Sequence, residues 1–203
     1  MSNASSAYIF QGGDGPADLP AGKNIALVGA RGAGKSKLSR KFGKRTGRVT
    51  LSTDSLVCYE ANGRTVASIV AAEGWQGFRD REHALLDKLS GMQNVLIDCG
   101  GGILVDPGPA GSEPGTEIFS ERKAQLLKQS AHVVYIRRSI PWLVGRVSQD
   151  SNRPDLGGDY RNLLERRLPW YERIADTILD MDGREIEWGQ RALLERFPGV
   201  GAE

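Results

Sequence analysis

The stretch Gly29-Ala30-Arg31-Gly32-Ala33-Gly34-Lys35-Ser36 constrains this chain more than any other. It follows the apolar run Ile25-Ala26-Leu27-Val28 and leads into residues of helical spacing from Lys35 to Lys44. The pattern is G-x-x-x-x-G-K-[ST], in the strand-to-helix setting that distinguishes a phosphate cradle from a mere glycine-rich turn. Glycines admit backbone angles closed to other residues, so successive N–H groups can converge on one anion. The helix that starts at the lysine adds its positive end. Gly29 to Lys37 are therefore candidate nucleotide-binding residues. Lys35 reaches the β- and γ-phosphates, and the Ser36 hydroxyl is a candidate Mg²⁺ ligand.

A nucleotide cradle does not name the acceptor of the phosphoryl group, and composition narrows it. The chain has 203 residues with 27 basic and 25 acidic side chains, a net charge of only +2. That balance argues against a general polyanion binder, and the four tryptophans are scattered without a basic stripe, so no nucleic acid is expected. No apolar stretch reaches the ~18 residues of a membrane span, and the N-terminus shows no signal peptide. The two cysteines, Cys58 and Cys99, lie far apart, and the histidines His83 and His132 share no ligand spacing. The expectation is a cytoplasmic enzyme that binds a small molecule and meets no membrane.

Short apolar strands alternate with helical spacing along the chain. Strands are predicted over 24–28, 49–51, 95–97, 132–136 and 177–179. Helices are predicted over 35–44, 66–72, 78–89, 120–128, 140–147, 160–175 and 185–197, with Pro169 bending or splitting the sixth. This alternation predicts an α/β domain around a mainly parallel sheet. Residues 1–21 read as a mobile leader, 22–198 as one domain and 199–203 as a tail. Residues 105–116 read as a turn-rich loop and 148–159 as a polar surface loop.

Four further stretches carry chemistry. Asp54 follows the second strand, at the carboxyl edge of the sheet, where open α/β folds bind ligands. That places an acid beside the cradle, although Thr53 and Asp54 also suit a helix N-cap. Arg79 and Glu82 share a helix face, so Glu82 can orient a guanidinium fork toward a carboxylate. Gly100, Gly101 and Gly102 let the backbone approach a ligand closely. Arg146 stands just before the polar loop, Arg153 within it, and Arg167, Pro169 and Tyr171 after it.

In this order, the residues from about 22 to 182 resemble the shikimate kinase family. The resemblance implies a three-layer α/β/α P-loop kinase fold of the nucleoside-monophosphate-kinase type, with a five-stranded parallel sheet and a mobile lid at 148–159. It implies ATP and Mg²⁺, a monomer, and phosphorylation of shikimate to shikimate 3-phosphate. Asp54 is then the base. Arg79 and Arg167 hold the substrate carboxylate, with Gly100, Gly101 and Gly102 against the ring. Arg146 packs on adenine, and Arg153, in the lid, stabilises the transferring phosphoryl group. The chain departs from the family where D-x-D is usual, because Ser52 replaces the first acid. Asp98, which ends an apolar strand, is expected to compensate by anchoring Mg²⁺ through water. Two alternatives remain at this point: a kinase of another polyol or cyclitol, and a nucleotide-binding module without phosphotransfer.

Overall fold

The computed structural model describes residues 10–11, 16–113, 115–147 and 160–198. Five parallel strands form the centre: β2 (Asn24–Val28), β3 (Thr50–Ser52), β4 (Leu96–Asp98), β7 (Ala131–Arg137) and β8 (Thr177–Asp180). A sixth strand, β1 (Phe10–Gln11), pairs antiparallel with β8, giving the order β1-β8-β7-β2-β4-β3. Every residue of β2 is buried, which requires cover on both faces of the sheet. Helix α1 (Lys35–Thr46) rests on β2, β3 and β4 and packs on α7 (Ile186–Arg196). Its Leu38 and Phe42 enter the core, each removal from water contributing about 1.5–3 kcal/mol. Helices α4 (Glu121–Ser130) and α6 (Tyr160–Ile174) lie against β7, and α5 (Ile140–Val147) against α6.

The chain leaves β2 for β3 and β4 on one side, then returns to β7 and β8 on the other. The change of direction falls at β2, so the crevice at its carboxyl end is the ligand position of this fold class.

Three features differ from the sequence reading. Part of the presumed leader is attached: β1 covers the outer edge of β8, and the Ala17 N–H donates to the Arg196 carbonyl at 2.7 Å. An uncovered edge strand would expose its unpaired backbone groups. Second, residues 105–116 are not all loop. Strands β5 (Val105–Pro107) and β6 (Glu117–Phe119) pair antiparallel, with Asp106 opposite Ile118. So short a hairpin is marginal alone, and it is tied down by Asp106, which accepts from Ser120 and from Nε and Nη2 of Arg122. The intervening prolines and glycines hid it. Third, α6 runs unbroken past Pro169. The missing N–H costs one helix bond, and burial of Leu164, Arg167, Tyr171 and Ile174 offsets it.

The predicted helices 66–72 and 78–89 stand as two helical stretches of α3 (Val66–Ser90), divided by a kink at Gly74, where φ is 70° and ψ 176°. An ion-paired staple spans the break. Glu73 accepts from Arg81 Nε and Nη2 at 2.7 and 2.9 Å and from Arg64 at 2.5 Å. The lid at 148–159, with Arg153, and the tail at 199–203 lie outside the described residues.

Candidate active site

The cradle forms as its glycines require. Gly34 caps α1 in the left-handed region at φ 98°, and no acidic residue in the first turn cancels the helix's positive end. Lys35 is buried, and its Nζ donates to the Gly29 and Ala30 carbonyls at 2.8 and 3.0 Å. Its charge is thus held inside the loop where a phosphate would sit. The Arg31 carbonyl accepts from Tyr160 Oη at 2.8 Å, which joins the cradle to the start of α6. Ser36 and Lys37 are exposed in the first turn of α1, and Arg146 is exposed in the last turn of α5.

Asp98 and Ser52 sit side by side in register on β4 and β3. Ser52, rather than Thr53 or Asp54, caps α2 (Thr53–Glu60), accepting from the Ser55 N–H at 3.5 Å. Thr53 instead accepts from the Gly100 N–H at 2.8 Å, fastening α2 to the turn after β4. Asp98 is buried, and its Oδ1 has no hydrogen-bond partner among the described residues. A buried orphan carboxylate oxygen beside the cradle fits a hydrated cation, whose water would satisfy it.

The triple-glycine turn is where the site converges. A Cβ on Gly100 would fall 2.0 Å from Asp54 Oδ1, and one on Gly101 would fall 2.9 Å from the Arg31 nitrogen. One on Gly102 would fall 2.5 to 2.9 Å from the Arg79 guanidinium. The glycines are needed here for space, not for unusual backbone angles. Three residues in a row thus touch the expected base, the phosphate cradle and the expected carboxylate reader. The Gly101 carbonyl also accepts from Tyr171 Oη and, at 3.5 Å, from Arg167 Nη1.

Asp54 remains accessible to solvent, yet enough protein surrounds its carboxyl that desolvation is the largest influence on it. Together with the negative charges of Glu82 and Asp98, this raises it above the ordinary aspartate range, against the opposing pull of Lys35 and Arg79. Arg79 is buried and donates to Glu82 at 2.8 Å, with Trp75 and Phe78 rings 5.1 and 5.2 Å from its guanidinium carbon. Glu82, 1% exposed, also accepts from Lys123, which is 0% exposed, at 3.0 Å. Lys123 donates in turn to the Val105 carbonyl on β5 at 2.6 Å. Burial lowers the Lys123 pKa, and the Glu82 charge opposes that. Arg167 is buried and paired with Glu117 of β6 through Nε, at 2.9 Å, and through Nη2.

The structure therefore gathers Lys35, Asp54, Arg79, Asp98, Gly100, Gly101, Gly102 and Arg167 into one crevice. The sequence reading missed Thr53 as a tether, Lys123, Glu117 and Tyr160. The last three contact partners 18 to 129 residues away, so no local spacing could reveal them. Among the described residues no His/Cys/Asp/Glu cluster could hold a metal by itself, and no helix is long and apolar enough to cross a membrane.

Comparison with known proteins agrees with this fold. A family model described as shikimate kinase matches residues 31–197. A shikimate kinase of Leptospira biflexa is 44% identical over 174 residues, covering 85% of this chain and 94% of the relative. One of Leptospira borgpetersenii is 40% identical over 169 residues, covering 81% and 92%. Among solved structures, a shikimate kinase from Acinetobacter baumannii in complex with shikimate superposes with a TM-score of 0.70 at 28% identity. It covers 85% of this chain and 90% of that one.

Proposed function

The chain belongs to the shikimate kinase family, and we propose that its crevice transfers the γ-phosphoryl group of ATP to a hydroxyl of shikimate, giving ADP and shikimate 3-phosphate. The observation that carries this is the triple-glycine turn, whose three residues contact Asp54, the cradle and Arg79. Phosphoryl transfer depends on alignment and charge neutralisation more than on covalent help. A turn that fixes base, donor site and acceptor site together supplies alignment.

In this reading the amides of 29–37 and Lys35 hold the phosphates. Lys35 exchanges its bonds to the Gly29 and Ala30 carbonyls for phosphate oxygens. Arg79 and Arg167 clasp the acceptor's carboxylate, and the turn lies against its ring. The acceptor oxygen attacks the γ-phosphorus, the bond to the β-phosphate oxygen breaks, and the hydroxyl proton passes to Asp54. The raised pKa of Asp54 suits it to receive that proton. Mg²⁺, when bound by Ser36 and through water by Asp98, would supply further charge neutralisation at the phosphates. Arg153 is assigned to the transferring phosphoryl group and Arg146 to adenine. We further take the enzyme to work as a cytoplasmic monomer: the crevice is built from one chain, and both cysteines are free thiols.

The test is ADP release with shikimate present and absent, on wild type and on Arg79→Ala. Shikimate-dependent release is expected, with the variant's KM for shikimate raised about 10²-fold, as for loss of a charge-assisted pair, and ATP affinity nearly unchanged. Release that ignores shikimate, or equal damage to ATP binding, would overturn the assignment.

A further inference from the structure

The two arginines assigned to the substrate carboxylate are both held by acidic residues, and both supports reach the β5–β6 hairpin. Arg79 is oriented by Glu82, which Lys123 ties to the Val105 carbonyl. Arg167 is oriented by Glu117, which pairs with Pro107 across the hairpin. A guanidinium carries five N–H donors in a rigid plane. Glu117 occupies the side formed by Nε and Nη2, and one Nη1 donor points at the Gly101 carbonyl. Two donors remain on the end of the fork, Nη1 and Nη2, beside the triple-glycine turn. That end can take a second carboxylate while Glu117 keeps the first. Arg166 adds only a half-exposed contact to Glu117 at 3.7 Å.

We infer that Glu117 is a positioning residue for acceptor binding: from the hairpin it locks Arg167 side-on, so that the end of its fork faces the carboxylate of the acceptor. The inference rests on the shikimate kinase reading above and extends it to a residue outside the recognised motifs. Its chemistry is that of Glu82 on Arg79, repeated on the second arginine from an element the first does not use. Arg167 otherwise has a long, flexible stem, and ordering that stem would have to be offset at each binding event. Holding it beforehand lowers the KM for the acceptor and leaves the nucleotide untouched.

Steady-state kinetics on wild type, Glu117→Gln, Glu117→Asp and Glu113→Gln test this. Glu113 is exposed on the same hairpin connection and controls for its general charge. Glutamine keeps the shape but turns an amide N–H₂ toward Nη2. Glu117→Gln should raise the KM for shikimate about tenfold or more, the scale of a lost charge-assisted hydrogen bond, with kcat and the KM for ATP changed less than about twofold. Glu117→Asp, which keeps the charge, should recover part of the loss, and Glu113→Gln should match wild type. An unchanged or lower KM in Glu117→Gln overturns the inference, the lower value meaning that Glu117 competes with the substrate. Equal effects of Glu113→Gln, or parallel losses for ATP and shikimate, also overturn it. Should Glu117→Gln not fold, Glu117→Asp decides, since its shorter reach must still raise the KM for shikimate selectively. A wild type without shikimate-dependent ADP release removes the functional reading itself, which is a separate result.

Discussion

At the scale of single residues, Asp54 carries the most consequence. Crowding and neighbouring acids raise its pKa in the folded protein above the unfolded value of about 3.9. The fold therefore favours the neutral form, and stability is lost as pH rises through the folded pKa. Asp54→Asn should unfold at a higher temperature than wild type at neutral pH, with the difference vanishing below about pH 3.9. The same variant should lose about 10²–10⁴-fold in kcat, the usual contribution of a general base. The acid limb of the wild-type kcat/KM profile should lie above the ordinary aspartate range. Thermal melts and a pH–rate series check all three, and a variant that is less stable at neutral pH contradicts the sign. Ser52 shows a different economy, since it serves as a helix cap where an acid is usual in the family.

At the scale of elements, the turn after β4 sets the order of the site. It connects a buried strand to β5, and each of its glycines stands where a side chain would strike a functional group. Gly102→Ala would press a methyl group into the Arg79 guanidinium, the far end of a flexible side chain. The fold should survive with little change in melting temperature while Arg79 is displaced. The KM for shikimate should rise about tenfold or more, in line with loss of one hydrogen bond to a charged group, and ATP affinity should stay within about twofold. Isothermal titration with each ligand separates the two, and an unaffected acceptor affinity would show that Arg79 is not held by this turn.

For the whole molecule, the buried charges tie helices α3 and α4 to the hairpin. Lys123 has no contact with solvent and stands between Glu82, the Val105 carbonyl and, at 3.4 Å, Asp106. Lys123→Met would leave Glu82 with Arg79 as its only cation in a region where its Oε1 already has no partner among the described residues. Loss of about 3 kcal/mol in equilibrium denaturation is expected, the scale for removing one member of a buried pair. Adding Glu82→Gln should cost less than the two losses summed, because the second change removes the stranded charge. Strict additivity would show that the two side chains do not share a network.

Much was legible in the sequence, and for a local reason. The cradle, the strand and helix alternation, Asp54, Arg79 with Glu82 and the glycine triplet all depend on neighbours within a few residues, where motif and period act directly. Even the break in α3 was visible, as two predicted helices flanking Gly74. What tertiary structure alone decided was who supports whom. Glu117 reaches Arg167 across 50 positions, Lys123 reaches Glu82 across 41, and Phe10–Gln11 finds β8 from the far end of the chain. Such pairs have no period and no spacing. They exist only once folding has packed distant elements together, because a buried charge or an open strand edge must then find its partner among whatever residues the fold has made its neighbours.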